Sequence, residues 1–281
     1  MSLHQQVATL MRGVAADVVT PRFRTLAAHE IADKGAGEIV TCADHEAEAA
    51  LREGLSHIDA RLNVGARIVG EEACATDPAL LDDVGEGLVW LVDPLDGTAN
   101  FAAGRQPFGM MIALVDDGIP VAGWIYDPVS GRMCAAQRDK GATMDDAPIR
   151  ARPTGEADPV AAIGTQFMSP TCRTAVHEVA ERHFTLESIP RCAAESYARL
   201  VLGRNDAALF QRILPWDHAA GVLFLTEAGG RATHWDGTPY RVGSPSPGVI
   251  LGACAHTHAL MLDSLSPLLL DSPVAPEFLT A

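Results

Sequence analysis

Aromatic side chains are scarce: Phe, Trp and Tyr make up 5% of the 281 residues, so packing must rest on Ala, Val, Leu and Ile. No run approaches the ~18 uncharged apolar residues of a membrane-spanning helix, and no membrane span is expected. The opening stretch MSLHQQVATLMRGVAADVV is polar throughout and lacks the apolar centre of a signal peptide. Lys/Arg runs are missing and the formal net charge is −15, which repels a phosphate backbone and argues against a nucleic-acid duplex as partner. The six cysteines (Cys42, Cys74, Cys134, Cys172, Cys192, Cys254) include no CxxC pair. They read as reduced thiols, with the cytoplasm as the expected location. No GxSxG nucleophile motif and no internal repeat is present.

What remains is an ordinary globular composition, 48% hydrophobic and 20% charged. The length suits one large domain or two packed halves. The acid excess has two readings, a solvated acidic surface or carboxylates gathered where cations let them coexist.

Along the chain, Val7, Leu10, Met11, Val14 and Val18 recur at helical spacing, with an end or kink at Pro21. A second helical pattern starts at Asp44 and runs through Glu48, Leu51 and Leu55. Residues 66–70 and 87–94 are short apolar runs, read as buried strands. Residues 110–128 form a hairpin pattern turning at Asp116-Asp117-Gly118, and 132–137 adds a third strand. The Asp-, Pro- and Gly-containing stretch 145–159 is the best internal boundary, giving halves 1–150 and 151–281. In the second half, strands at 161–166, 206–210 and 248–253 alternate with helices at 169–183, 194–203, 215–230 and 256–270. The tail from Asp271, with Pro273 and Pro276, is expected to fray. Interleaved strands and helices in both halves predict stacked α and β layers.

Three acidic clusters follow strongly apolar elements: Gly70-Glu71-Glu72, Asp93-Pro94-Leu95-Asp96-Gly97-Thr98 and Trp216-Asp217. Each alone has a bland reading: a surface turn, a solvated acid pair, a helix N-terminal acid. Asp93 should sit at the core's edge, where Pro94 turns the chain and brings Asp96 back to the same side. Carboxylates that close repel unless protonated or bridged by a cation. An all-oxygen set selects a hard ion such as Mg²⁺ or Mn²⁺. The N–H groups of Gly97, Thr98 and Ala99 could open a short helix toward a phosphate.

These segments, with Trp90-Leu91-Val92-Asp93-Pro94-Leu95-Asp96-Gly97-Thr98-Ala99-Asn100-Phe101, Pro215-Trp216-Asp217 and Glu227-Ala228-Gly229-Gly230, resemble the signature set of the inositol monophosphatase family. That family belongs to the lithium-sensitive, Mg²⁺-dependent phosphatases that include fructose-1,6-bisphosphatase. The likeness runs from about Lys34 to Gly252. It implies an αβαβα layered sandwich, commonly a homodimer, acting on small phosphorylated substrates. It also implies two to three Mg²⁺ ions: Glu71, Asp93 and the Leu95 carbonyl hold the first, Asp93, Asp96 and Asp217 the second, and Glu71 with water a weaker third. Thr98, oriented by Asp44, joins Glu71 in activating water, and Gly97 and Thr98 bind phosphate. Lys34 matches a basic residue of the family and reads equally as a surface lysine.

The likeness departs at the substrate wall. Inositol-specific members carry an acid seven residues before the aspartate of the Trp-Asp pair, and here Phe210 stands there, unable to accept hydrogen bonds from ring hydroxyls. Arg191-Cys192 replaces a Gly-Ser/Thr step. Gln166, Arg191, Phe210 and Arg212 are the candidate wall residues, and His218 reads as packing or rim. The expected substrate is inositol monophosphate or a sugar phosphate. The alternatives are a 3′(2′),5′-bisphosphate nucleotidase, a histidinol-phosphatase and a silent scaffold of the same fold. Gly35 and Gly37 raise the question whether loop 30–43 closes over the site.

Overall fold

Strand alternation sorts the side chains into layers. The computed structural model describes residues 1–35, 38–246 and 248–270. Helix α1 (Leu3–Val14) is opened by a Ser2–Gln5 capping box and runs through a π-helical segment, Ala15–Val19, into α2 (Thr20–Arg22). Pro21 lies in that last turn, where the helix gives out. Strands β1 (Ile31–Gly35) and β2 (Glu38–Thr41) pair antiparallel. Helix α3 (Cys42–Leu62) follows, opened by a capping box between Thr41 and Asp44. Next come β3 (Arg67–Gly70), α4 (Glu71–Thr76), β4 (Leu88–Asp96) and α5 (Thr98–Ala102). A meander of β5 (Gly109–Asp116), β6 (Ile119–Tyr126), β7 (Met133–Gln137), β8 (Gly141–Met144) and β9 (Ala147–Ile149) completes a seven-stranded sheet in sequence order from β3 to β9.

The second half gives β10 (Val160–Ile163), α6 (Pro170–Ala180), β11 (Thr185–Glu187), α7 (Ala193–Leu202), β12 (Ala207–Phe210) and α8 (Pro215–Glu227). It ends with β13 (Arg231–His234), β14 (Val249–Gly252) and α9 (Ala255–Leu270). Its five strands are ordered β11-β10-β12-β14-β13.

Burial follows the period-two rule. Trp90, Val92, Ile112 and Trp124 of the first sheet pack on Met11 of α1 and Leu51 and Leu55 of α3. The opposite face, with Leu91, Met111 and Ala113, meets Tyr197 of α7 and Phe224 of α8. These two helices also contact Ala208 and Leu251 of the second sheet. Its other face, with Leu209 and Ile250, packs on α6 through Val176 and on α9 through Met261 and Leu265. The result is the αβαβα sandwich that the resemblance implies.

Two details differ from the sequence reading. The stretch 145–159 is not all linker: Asp145 and Asp146, both at positive φ, form the two-residue turn that leads into β9. Residues Ile31–Gly35 and Glu38–Thr41 of the supposed loop 30–43 are a hairpin. Gly37 and the tail from Asp271 lie outside the described residues.

The central helix layer has little slack. A Cβ on Gly221 of α8 would fall 2.0 Å from the Tyr197 ring of α7. Helix propensity alone favours Gly→Ala by about 1 kcal/mol. We expect Gly221→Ala to destabilise instead, by roughly 1–3 kcal/mol through overpacking. Urea unfolding checks this, and an unchanged or raised midpoint would contradict the packing.

Candidate active site

Strand β4 delivers the first carboxylate. Val89 and Leu91 face the α7/α8 layer, so Asp93 shares that face by alternation. The strand does not end there, as the sequence reading had it. It continues to Asp96 through a register shift between Asp93 and Asp96, a bulge that accommodates Pro94. Asp93 is 1% exposed, and its Oδ1 accepts the Leu95 N–H at 3.0 Å. Gly97 then takes φ 84° and caps α5. A Cβ there would come 3.1 Å from the Pro107 carbonyl oxygen and 3.2 Å from Cys192 Cβ, so glycine is needed for both conformation and space.

The bulge sets Thr98 beneath the carboxylates. Its Oγ1 lies 3.0 Å from Asp44 Oδ1 and 2.9 Å from the Leu95 carbonyl, both acceptors for its proton. Asp44 Oδ2 in turn accepts from Thr41 N–H at 2.8 Å and Thr41 Oγ1 at 2.6 Å. The Asp44–Thr98 contact expected from sequence is therefore present. Asn100 donates to the carbonyls of Pro107 (2.8 Å) and Pro190 (3.0 Å), tying this turn to the segment before α7.

Glu71 opens α4, and Asp217 lies in the first turn of α8 behind Pro215. Burial pushes the Glu71 carboxyl up to about 8; Lys34 opposes this, while Asp217, Glu72 and Asp44 add to it. Burial, with Glu71, Asp96 and Asp217 nearby, raises Asp93 well above the usual carboxylate range. Asp217 reaches about 7 through burial and the Asp96 charge, with Arg212 opposing. Burial raises Asp44 to about 6 and also raises Asp96. Glu71, Asp93, Asp96 and Asp217, from three separate segments of the chain, thus share one electrostatic pocket.

Several residues around them were missed or undervalued in sequence. Lys34 is no free surface lysine: its Nζ stands 3.1 Å from Glu71 and 2.6 Å from Glu72. Burial opposes its charge, but the two glutamates more than offset that and hold it above the ordinary lysine range. Cys192, the N-cap residue of α7, donates its thiol to Asp96 Oδ2 at 3.0 Å beside the Ala194 N–H at 2.7 Å. Local sequence carries no signal for any of these long-range contacts.

The wall candidates scatter more. Arg212 pairs with Glu38 of β2, stacks its guanidinium 4.7 Å over Phe167 and, with Glu38, perturbs Asp217. Phe210 is half-buried, 4.9 Å from the His218 ring. His218 is a core residue at 2% exposure, bound to Tyr197 Oη and the Arg212 carbonyl. Arg191 sits at φ 54° with its carbonyl beside Gly97 and its side chain exposed. Gln166 is exposed, and its backbone carbonyl accepts from Arg173.

The donor set fits a hard divalent cation: carboxylates and the Leu95 carbonyl, with no competing His/Cys cage. Among the described residues, no three His, Cys, Asp or Glu side chains stand ready to hold one ion as placed. Lys34 sits on Glu71, and the Cys192 thiol and Ala194 N–H sit on Asp96. Side-chain rotation of these acids is therefore part of any ion binding. The electrostatics favour it, since a cation offsets both the burial and the mutual repulsion that disfavour the charged acids.

The raised pKa values set a sign. The folded chain keeps protons on Glu71 and Asp217 that the unfolded chain loses near the ordinary carboxyl values of 4.5 and 3.8. Their contribution to stability is thus full below about pH 4 and is lost as pH rises through about 7 to 8. We expect the Tm difference between chain with Mg²⁺ and chain in chelator to grow from pH 5.5 to pH 8.5, because protons and cations compete for the same oxygens. Thermal unfolding at stepped pH checks this; a pH-independent difference would contradict it.

Comparison with known proteins identifies the family. The profile of the inositol monophosphatase family matches residues 3–268. The inositol-1-monophosphatase of Bacillus subtilis is 33% identical over 182 residues, 63% of this chain and 66% of that protein. The Synechocystis inositol-1-monophosphatase is 30% identical over 244 residues, 84% of this chain and 80% of its own. Among solved structures, the extragenic suppressor protein suhB of Bartonella henselae superposes with a TM-score of 0.74 at 25% identity, covering 92% of this chain and 98% of that one. No helix among the described residues is long and apolar enough to cross a membrane. The chain belongs to the inositol monophosphatase family and is a phosphoric monoester hydrolase.

Proposed function

We propose that this enzyme is a Mg²⁺-dependent phosphomonoesterase for small phosphate monoesters of the inositol monophosphate or sugar phosphate class. The observation that carries the reading is the meeting of Asp93 and Asp217 within the pocket that Glu71 and Asp96 share. A phosphate monoester dianion repels a water-derived nucleophile, and such a pocket would repel the dianion too unless cations lie between them. Bound divalent ions, two to three by family likeness, supply charge neutralisation and acidify water.

The chain's own residues do the rest. Glu71, Asp93, Asp96, Asp217 and the Leu95 carbonyl would hold the ions. Thr98 donates its hydroxyl hydrogen bond to Asp44 or the Leu95 carbonyl, which leaves its lone pairs to orient the attacking water. Glu71 accepts that water's proton, the role the family likeness gives it. The Gly97 turn presents the N–H groups of Gly97 and Thr98 to the phosphate. Residues 1–150 supply most ligands, and residues 151–281 bring Asp217 and the wall of Arg191, Phe210 and Arg212. We extend the family likeness to lithium inhibition, Mn²⁺ as a substitute, a homodimer and a cytoplasmic location.

Asp93→Asn should lower phosphate release by about 10³-fold or more, because it weakens both principal metal sites. The fold should persist, read as an undiminished Tm in chelator. Near-normal turnover would refute the assignment. A phosphate-release screen with Mg²⁺ over inositol, sugar, histidinol and adenosine-nucleotide phosphates then fixes the substrate class. A null result across all four favours the scaffold reading.

A further inference from the structure

Glu48, in the second turn of α3, has no part in the chemistry above, yet it is 4% exposed. Its carboxylate faces the start of α4. Oε2 accepts the Glu72 N–H at 2.7 Å and Oε1 the Ala73 N–H at 3.0 Å. Helix α4 has no side-chain cap from its own N-cap position, Gly70. The cap that normally comes from the preceding residue is supplied instead from a neighbouring helix.

Gly70 explains why. Its backbone, at φ −112° and ψ 157°, is extended and open to any residue, so conformation does not require glycine. Space does: a Cβ at Gly70 would lie 2.3 Å from Glu48 Cδ and 2.5 Å from each carboxylate oxygen. Glycine and glutamate are therefore one device, in which the missing Cβ admits the carboxylate that grips two successive N–H groups. Glu71 is the residue held between Gly70 and those two amides. The half-buried Arg52, 3.6 Å from Glu48 Oε1, is the clamp's outer neighbour.

We infer that Glu48 is a positioning residue for Glu71, and that Glu48 with Gly70 sets the affinity of the site for its cation. The inference rests on the metal reading above. Ligand groups fixed by outer partners commonly lose 10- to 100-fold in metal affinity when that partner is removed. A charged acceptor bonded to two N–H groups is the stronger kind of such anchor.

The test uses the full chain with Mn²⁺ as probe, titrated by calorimetry, and amide hydrogen exchange on the metal-free protein. Glu48→Gln and Gly70→Ala should each weaken Mn²⁺ binding about 10- to 100-fold and speed exchange at Glu72 and Ala73. Gly70→Ala should add nothing further in a Glu48→Ala background, where the shortened side chain leaves room for the methyl. Arg52→Gln should leave affinity unchanged. Variants that lose Tm but bind Mn²⁺ like the wild type in the folded range would show a merely structural cap and overturn the inference. A fully additive double variant would overturn the shared device. A wild-type chain that binds no Mn²⁺ would overturn the metal reading itself, and the inference with it.

Discussion

Like charges held out of water dominate this molecule. Asp93 lies at the junction of the first sheet and the central helix layer, almost wholly removed from solvent, with Glu71, Asp96 and Asp217 acting on it. In the absence of compensation, such a cluster holds protons it would otherwise release, and each proton kept is a measure of destabilisation of the charged state. The layers, the bulge, the glycine contacts and the nearby lysine are all arrangements around that one electrostatic problem.

The scaffold answers it with rigidity. Strand β4 is buried on both faces, so Asp93 is fixed by packing of Leu91 on one side and Val92 on the other. Asp217 is fixed by α8, which is wedged between two sheets. Glu71 hangs on a turn gripped by Glu48. Around the rim the polar contacts are of another kind: Arg212 joins Glu38 across from Phe167, where hairpin and second half meet. Rigid elements carry the acids, while the wall is built from longer side chains on loops and strand ends, which is where members of one fold family diverge in substrate.

Much of this was legible in the chain. Long, strongly periodic elements such as α3, β4 and α8 follow from their apolar spacing, and the acids at their ends stand next to one another in sequence or share a motif. The elements that sequence reasoning passed over are short: α4 spans six residues, and β11 and β13 are the edges of their sheet. Few residues leave little periodicity to read. The Asp93 bulge escaped because Pro after an acid signals a turn as readily as a kinked strand. The contacts of Lys34, Glu48 and Cys192 escaped for a different reason. Each acts through a residue far away in sequence, and nothing in the local pattern separates a gripping carboxylate from a solvated one.

The central claim is that the Asp93–Asp217 pair is a cation site and not a proton-sharing relic. Crystals grown with Mn²⁺ and measured at its absorption edge test it most directly. The account predicts an anomalous peak within direct coordination distance, about 2.0–2.4 Å, of carboxylate oxygens from both Asp93 and Asp217. Saturating Mn²⁺ with no peak at that pair, or with the ion bound only on the protein's acidic surface, would contradict it.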